Sequence, residues 1–282
     1  MSINTTSQIS SYIQEIFADA LHIARDNNVM RSLVTVYTDQ TGDNPRQNSE
    51  YNSVTINAIG EADDLASQAI TPSVIATLTP AEYGAQYFLT DRRLDTDPFQ
   101  LRNDAAMELG MGLAQDVESK LLSNFSGLTG GTVGAAGSAM SWGLLTAAIT
   151  RLRAQNAPGP YYCVMHPYQY HLLGQAASVA GAQFQTGDLM DQVQSTWFIG
   201  RAMGTDFYLS SNIEIDGDGD ATAAVFSRQA IALDVRRPPR IEPERDASRR
   251  GIELNLTSVY AHGVWRPKFG VQIVTDASAP DF

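Results

Sequence analysis

The sequence predicts an α+β fold, and three observations lead there. Stretches of helical period alternate with extended, β-branched stretches along all 282 residues, but without the regular rhythm of a parallel strand–helix–strand sheet. A long polar stretch in the first third is followed by extended-looking runs. The last third alternates apolar and polar residues, as antiparallel strands do. Composition supports a folded chain, with 43% hydrophobic and 18% charged residues and no low-complexity tract.

The elements follow in order. Residues 8–31 place Ile9, Tyr12, Ile13, Ile16, Phe17, Leu21 and Ile23 near one stripe, which predicts an amphipathic helix. The next stretch, "TDQTGDNPRQNSEYNS", holds Gly42 and Pro45 and no hydrophobic period. Residues 54–59 and 73–89 look extended, with Pro80 and Gly84 suited to an edge strand or a bulge. Residues 33–90 therefore read as a long polar two-stranded arm, or alternatively as two loops on a compact body. A lone hairpin is marginal in water, so an arm must lie on its own body or on a neighbouring subunit.

Pro98 is expected to open a long helix capped by Asp97, with Leu101, Ala105, Leu109, Leu113, Val117 and Leu121 recurring on one face. Gly110 and Gly112 weaken that helix and suggest close approach of another backbone. The glycine-rich "GLTGGTVGAAGSAM" reads as a flexible joint; it contains neither a phosphate loop nor a dinucleotide fingerprint. Ser141 caps a helix carrying Trp142, Leu145, Ile149 and Leu152, and "APGP" stops it. "YYCVMHP" is a short strand, and Pro167 starts another helix. Two β runs, "DFYLSSNIEI" and "AAVFSRQAIALDV", flank the segment "DGDGD". The run "IELNLTSVYAHGVWRPKFGVQIVT" breaks at Gly263 and Pro267 into two final strands.

Charge and motifs narrow the function classes. The net charge is −12 and the pI about 4.6, a poor balance for a protein that grips nucleic acid by its phosphates. Lys120 and Lys268 are the only lysines; the arginine bias suits fixed, bidentate protein–protein ion pairs. No apolar run approaches the roughly 20 residues of a membrane span, and the start lacks the pattern of a signal peptide. The single cysteine excludes an internal disulfide and a multi-cysteine zinc site.

Cys163, His166 and His171 fall within nine residues, so a nucleophile or a metal site must be weighed. Cys163 sits in an apolar strand, where cysteines usually serve packing, and the two histidines do not obviously converge with it. There is no Gly-x-Ser-x-Gly elbow or His-Glu-x-x-His helix. No catalytic residue and no cofactor is expected. Asp216, Asp218 and Asp220 resemble the start of a calcium loop, but its sixth position is Ala221 and its twelfth Ser227, where glycine and glutamate are required. A tight hairpin turn is the expectation there. Arg236, Arg237, Arg240, Arg245, Arg249 and Arg250 are interspersed with Asp234, Glu242, Glu244, Asp246 and Glu253. Together with Arg92 and Arg93, this mixed belt reads either as inter-subunit ion pairs or as a solvated surface.

Four segments, in order, resemble one family. They are "TLTPAEYGAQYFLTDRRL" with the long helix after it, "MSWGLLTAAITRLRAQNAPGPYYCVMHPYQYHLL", "IGRAMGTDFYLSSNI" and "YAHGVWRPKFGVQIVTDA". Over residues 30–276 the chain resembles the major capsid proteins of tailed bacteriophages, with the Hong Kong 97-type fold. The resemblance implies an N-terminal arm (1–32), an extended loop (33–90) and a peripheral domain with a spine helix (91–139). It also implies an axial domain (140–235) and C-terminal peripheral strands (236–282).

It further implies a non-catalytic subunit that assembles with itself as hexamers and pentamers into an icosahedral head shell enclosing double-stranded DNA. A portal, and a separate scaffolding protein, are expected as partners, because only about thirty residues precede the arm. The arm has no lysine, so no isopeptide cross-link through it is expected. The implied location is the virion, after assembly in the bacterial cytoplasm. The Asp216–Asp218–Asp220 turn would lie in the axial domain, and a ring of its copies around a capsomer axis would be a weak cation site. Two alternatives stand beside this reading: an encapsulin-like shell around protein cargo, and a cytoplasmic enzyme using Cys163 and His166.

Overall fold

Where the described sequence has helical period it forms three substantial helices beside two sheets, and where both faces are polar it leaves the body. The structure is a computed structural model that describes residues 28–61, 64, 67–96, 100–179 and 198–280. The helix expected over residues 8–31 lies outside the described residues up to residue 27. Its end is a short helix, α1 (Met30–Leu33).

The elements that follow are β1 (Thr35–Tyr37), β2 (Arg46–Tyr51), β3 (Pro72–Leu78), β4 (Ala81–Thr90), α2 (Asp91–Thr96) and the long α3 (Gln100–Ser123). The predicted cap at Asp97 and start at Pro98 fall outside the described residues. Then come β5 (Thr132–Gly134), α4 (Trp142–Ala154), β6 (Tyr161–Met165), α5 (Pro167–Val179), β7 (Phe198–Ala202) and β8 (Thr205–Leu209). The chain ends with β9 (Asp220–Ser227), β10 (Ile231–Asp246), β11 (Gly251–Val264) and β12 (Gly270–Asp276).

One sheet is six-stranded and mixed, ordered β5-β12-β9-β6-β8-β7. Strand β9 shows why it is buried on both faces. Ala223 and Val225 join Leu145, Ala148, Ile149 and Leu152 of α4 in one apolar cluster. Ala224 and Phe226 join Leu121 and Leu122 at the end of α3 in another. Ser141 caps α4 as expected, its hydroxyl accepting from the Leu144 N–H at 3.4 Å.

The second sheet is ordered β1-β10-β11-β4, and α3 lies against it through Leu109 and Leu113, which share a cluster with Leu254, Leu256 and Tyr260. Strand β10 runs through the proline pair Pro238–Pro239, which cannot donate to a ladder. Its register with β11 shifts on both sides of Arg237, so the prolines are accommodated as irregularities.

The arm differs from its expected form. Its outgoing strand is the polar β2, not residues 54–59, which lie in the connection between β2 and β3. The returning run divides at Pro80: β3 pairs with β2, while β4 pairs with β11 in the four-stranded sheet. A strand exposed on both faces needs no apolar alternation, so β2 carried no signal. At Gly84 a Cβ would sit 2.7 Å from the Leu256 carbonyl oxygen, so only glycine lets β4 approach there.

Two further expectations change. The glycine-rich joint is an ordered edge strand, β5, paired in parallel with β12. Gly134 has φ +84° and its Cβ position lies 2.3 Å from the Val274 carbonyl. A Cβ added at Gly112 would meet nothing within 4 Å among the described residues, so no described backbone of the same chain approaches it. Strand β12 leaves β11 through a turn at Pro267–Phe269 and pairs with β9 in the six-stranded sheet. β10, for its part, runs unbroken across residue 235.

Candidate assembly interface

Strands β2 and β3 form a separate two-stranded sheet, Arg46 opposite Leu78 and Tyr51 opposite Pro72. Along it and the residues that connect its strands, Tyr51, Val54, Ile56, Ile59, Ile70 and Val74 are all exposed, Ile56 at 93%. Single exposed apolar residues are ordinary, but six on one projection form a surface that water disfavours and a partner would cover.

The base of this arm is fixed to the body by a buried ionic knot. Asp234, fully buried on β10, binds Arg46 Nε at 3.0 Å and Arg236 Nη2 at 2.8 Å. Arg236 also donates to the carbonyls of Asn44 at 3.0 Å and Gly42 at 3.5 Å, in the loop leading into the arm. Arg46 lies over the Tyr37 ring, 4.3 Å from its centroid, and pairs with Asp39. Asn48 Nδ2 donates to the Trp265 carbonyl at 2.8 Å, and Lys268 approaches Glu50 at 3.6 Å. Arg236, read from sequence as an inter-subunit ion-pair candidate or a solvated surface residue, is instead engaged inside its own chain. The signal for the knot was an aspartate within the apolar run "IALDV".

The rest of the charged belt stays at the surface. Arg237 pairs with Glu82 at 3.5 Å, Arg240 with Glu242 at 3.4 Å and Arg249 with Glu253 at 3.1 Å. Arg249 also covers the Phe88 ring. Arg245 binds Asp91 through both guanidinium nitrogens and holds its carboxyl below the usual carboxylate range. The Asp246 carboxylate accepts from the Ser248 hydroxyl and from the N–H groups of Ser248 and Arg249, closing the β10–β11 turn, where Arg250 has φ +53°. Arg92, Arg93 and Glu244 are exposed, and their side chains form no ion pair with any described residue.

The "DGDGD" segment is a turn. The Asp216 carboxylate accepts from the N–H groups of Asp218 at 3.0 Å and Asp220 at 2.8 Å, and Gly219 takes φ +88°. The Asp220 carboxylate turns inward to accept from the Gly137 N–H at 2.7 Å. Asp216 thus holds its own loop and Asp220 ties that loop to the segment after β5, and among the described residues no group of three or more His, Cys, Asp or Glu could hold a metal.

The residues weighed for catalysis are poorly placed for it. Cys163 is completely buried, and burial pushes its thiol far above the ordinary range. His166 is buried too, which lowers its pKa, and its Nδ1 accepts from the Tyr168 N–H at 3.2 Å. His171 is exposed beside Gln175.

One notable residue was missed. Glu118, 1% exposed on α3, takes the Met30 N–H between its two oxygens at 3.0 and 3.2 Å, and burial pushes its carboxyl up to about 7. Its signal was present: an acid one turn before the buried pair Leu121 and Leu122.

Residues 74–273 match a family described as phage capsid protein. The chain belongs to that family. Solved structures carry the same fold over nearly the whole chain. The capsid of Ralstonia phage GP4 aligns with a TM-score of 0.71 at 13% identity, covering 91% of this chain and 93% of that one. Mycobacterium phage Che8 gives 0.67 at 17% identity, covering 87% and 90%. A virus-like particle from Pyrococcus furiosus gives 0.59 at 12% identity, covering 95% and 100%. No curated protein matches.

The architecture is thus the Hong Kong 97-type capsid fold that the resemblance implied, and the capsid protein is a non-catalytic structural subunit of the virion's head shell. The enzyme reading is set aside, and the family match to phage capsids answers the nanocompartment reading.

Proposed function

We propose that the capsid protein assembles as hexamers and pentamers into an icosahedral head shell around double-stranded DNA, with the β2–β3 arm lying across a neighbouring copy as the extended loop of the fold. The exposed apolar side chains of that arm carry this reading, because the chain's own body leaves them uncovered. The surface ion pairs of the β10–β11 region and the exposed Arg92, Arg93 and Glu244 are assigned to contacts between copies, where charge sets orientation more than affinity. The remaining peripheral elements are α2, α3 and the four-stranded sheet, and the axial elements are those of the six-stranded sheet. A separate scaffolding protein and a portal complete the proposed partners. No cation is assigned to the Asp216–Asp220 turn.

Negative-stain microscopy of the expressed protein tests the reading. Closed shells, tubes or capsomer rings are expected, and a persistent monomer at high concentration would overturn it. Purified shells heated in denaturant should run as monomers on a gel, since Lys120 lies over the Tyr83 ring and Lys268 sits outside the arm. A covalent ladder would contradict the absence of cross-linking.

A further inference from the structure

A buried acid joins three parts of the molecule that are otherwise separate. Glu118 belongs to α3; its oxygens accept from the Met30 N–H of the N-terminal segment, and Oε1 lies 3.5 Å from the Ser210 hydroxyl just past β8. The surroundings are dry: Met30, Val34 and Leu121 are fully buried, and Leu33 and Leu122 nearly so. The same segment is tied to the helix again where Asn28 Nδ2 donates to the Ala114 carbonyl at 2.7 Å.

The charged groups nearby in sequence are turned to other work. Asp116 and Lys120, on the same helix, pair with each other and engage Tyr260 and Tyr83. On α1 the charged residue is Arg31, half-buried, and past β8 it is Glu214, exposed. Asp206, on β8, pairs with Arg201. Among the described residues only three groups offset the burial of Glu118, the N–H groups of Met30 and Val29 and the Ser210 hydroxyl.

We propose that Glu118 is a proton-operated latch between the N-terminal segment, the long helix and the six-stranded sheet. When protonated, the acid keeps the Met30 N–H on one oxygen and can donate its own proton to the Ser210 oxygen, and no net charge is buried at the junction. When ionised, it places a charge in an apolar site that three neutral donors offset only in part, a cost relieved if the segment lifts and water enters. The direction follows from linkage. The folded chain holds this proton more tightly than the unfolded chain, so the junction is firmest below the ordinary carboxylate value of 4.5 and weakens as pH rises through about 7. This device belongs to the subunit itself and does not depend on the form of the assembled shell.

Hydrogen exchange of the full chain tests it, with amide protection over residues 28–34 followed between about pH 5.5 and 8.5 and corrected for intrinsic exchange. Wild-type protection should fall about tenfold across that range, while Glu118→Gln, a neutral isostere, should stay protected throughout. A flat wild-type profile, or the same fall in Glu118→Gln, would overturn the latch. Infrared spectroscopy of the wild type supplies a second measurement that needs no variant. A protonated carboxyl band should persist near about pH 6, where exposed acids are ionised, and disappear by about pH 8.5. Absence of that band at the lower pH would equally overturn the proposal.

Discussion

The arm and the six-stranded sheet are both built from strands, yet they are held by different forces. In the sheet, β9 is buried on both faces, and Phe226 packs against Phe125 at 5.6 Å and Tyr162 at 6.2 Å between ring centroids. In the arm, β2 and β3 pair only with each other, most of their side chains are exposed, and the connection to the body combines the Asp234 ion pairs and a few hydrogen bonds with one buried apolar side chain, Leu78, which packs with Ala232 and Ala261. A buried sheet is stable by itself, whereas a two-stranded projection needs a partner for stability. The body therefore has a core of its own, and in the proposed reading a neighbouring copy completes the arm.

The comparison can be broken most directly in the sheet. Phe226→Ala should cost about 3–5 kcal/mol, read as a lower denaturant midpoint, and should reduce shell yield only because the subunit itself is destabilised. Next comes the knot at the arm's base. Asp234→Ala leaves Arg46 and Arg236 without their shared counter-charge and should cost about 3 kcal/mol, with faster tryptic cleavage at Arg46 than in the wild type. If cleavage there stays unchanged, the knot does not orient the arm.

The third test reverses the pattern. Ile56→Asp combined with Ile70→Asp should shift the subunit's midpoint by less than about 0.5 kcal/mol but abolish shells in sedimentation. A large loss of subunit stability would show that the arm packs on its own body. The smallest effect is expected at the surface pair: Arg245→Ala should move the neutral-pH midpoint only slightly. The Asp91 carboxyl is held below its usual range, so this pair stabilises above that range, and its contribution disappears as pH falls through the lowered folded value. Acid titration of wild type and variant should therefore converge at low pH; a gap that widens there would contradict the pairing.

Much of the body was legible because burial imposes a period. The four-residue recurrence from Leu101 to Leu121 marked α3, and Ser141 with Trp142, Leu145, Ile149 and Leu152 marked α4 and its start. The arm was legible only as a region. Its polar strand β2 has no buried face to leave a pattern, and the division of the return run at Pro80 depends on which sheet offers a partner. The charged belt was visible as composition, but nothing local distinguished Arg236, which turns inward to Asp234, from Arg237, which reaches Glu82 on the surface.

By itself the sequence determined the α+β class, the long helix, the turn at Asp216–Asp220 and the failure of every catalytic motif, because each rests on local period, spacing or backbone chemistry. Only the tertiary structure decided that the glycine-rich segment is a paired edge strand, that β12 joins β9, and that Glu118 and Asp234 are buried junctions. Those outcomes depend on residues far apart in the chain: Glu118 meets Met30 and Ser210, and Asp234 meets Arg46. A buried charge is specified by what surrounds it in space, and that information lies outside any local window of the sequence.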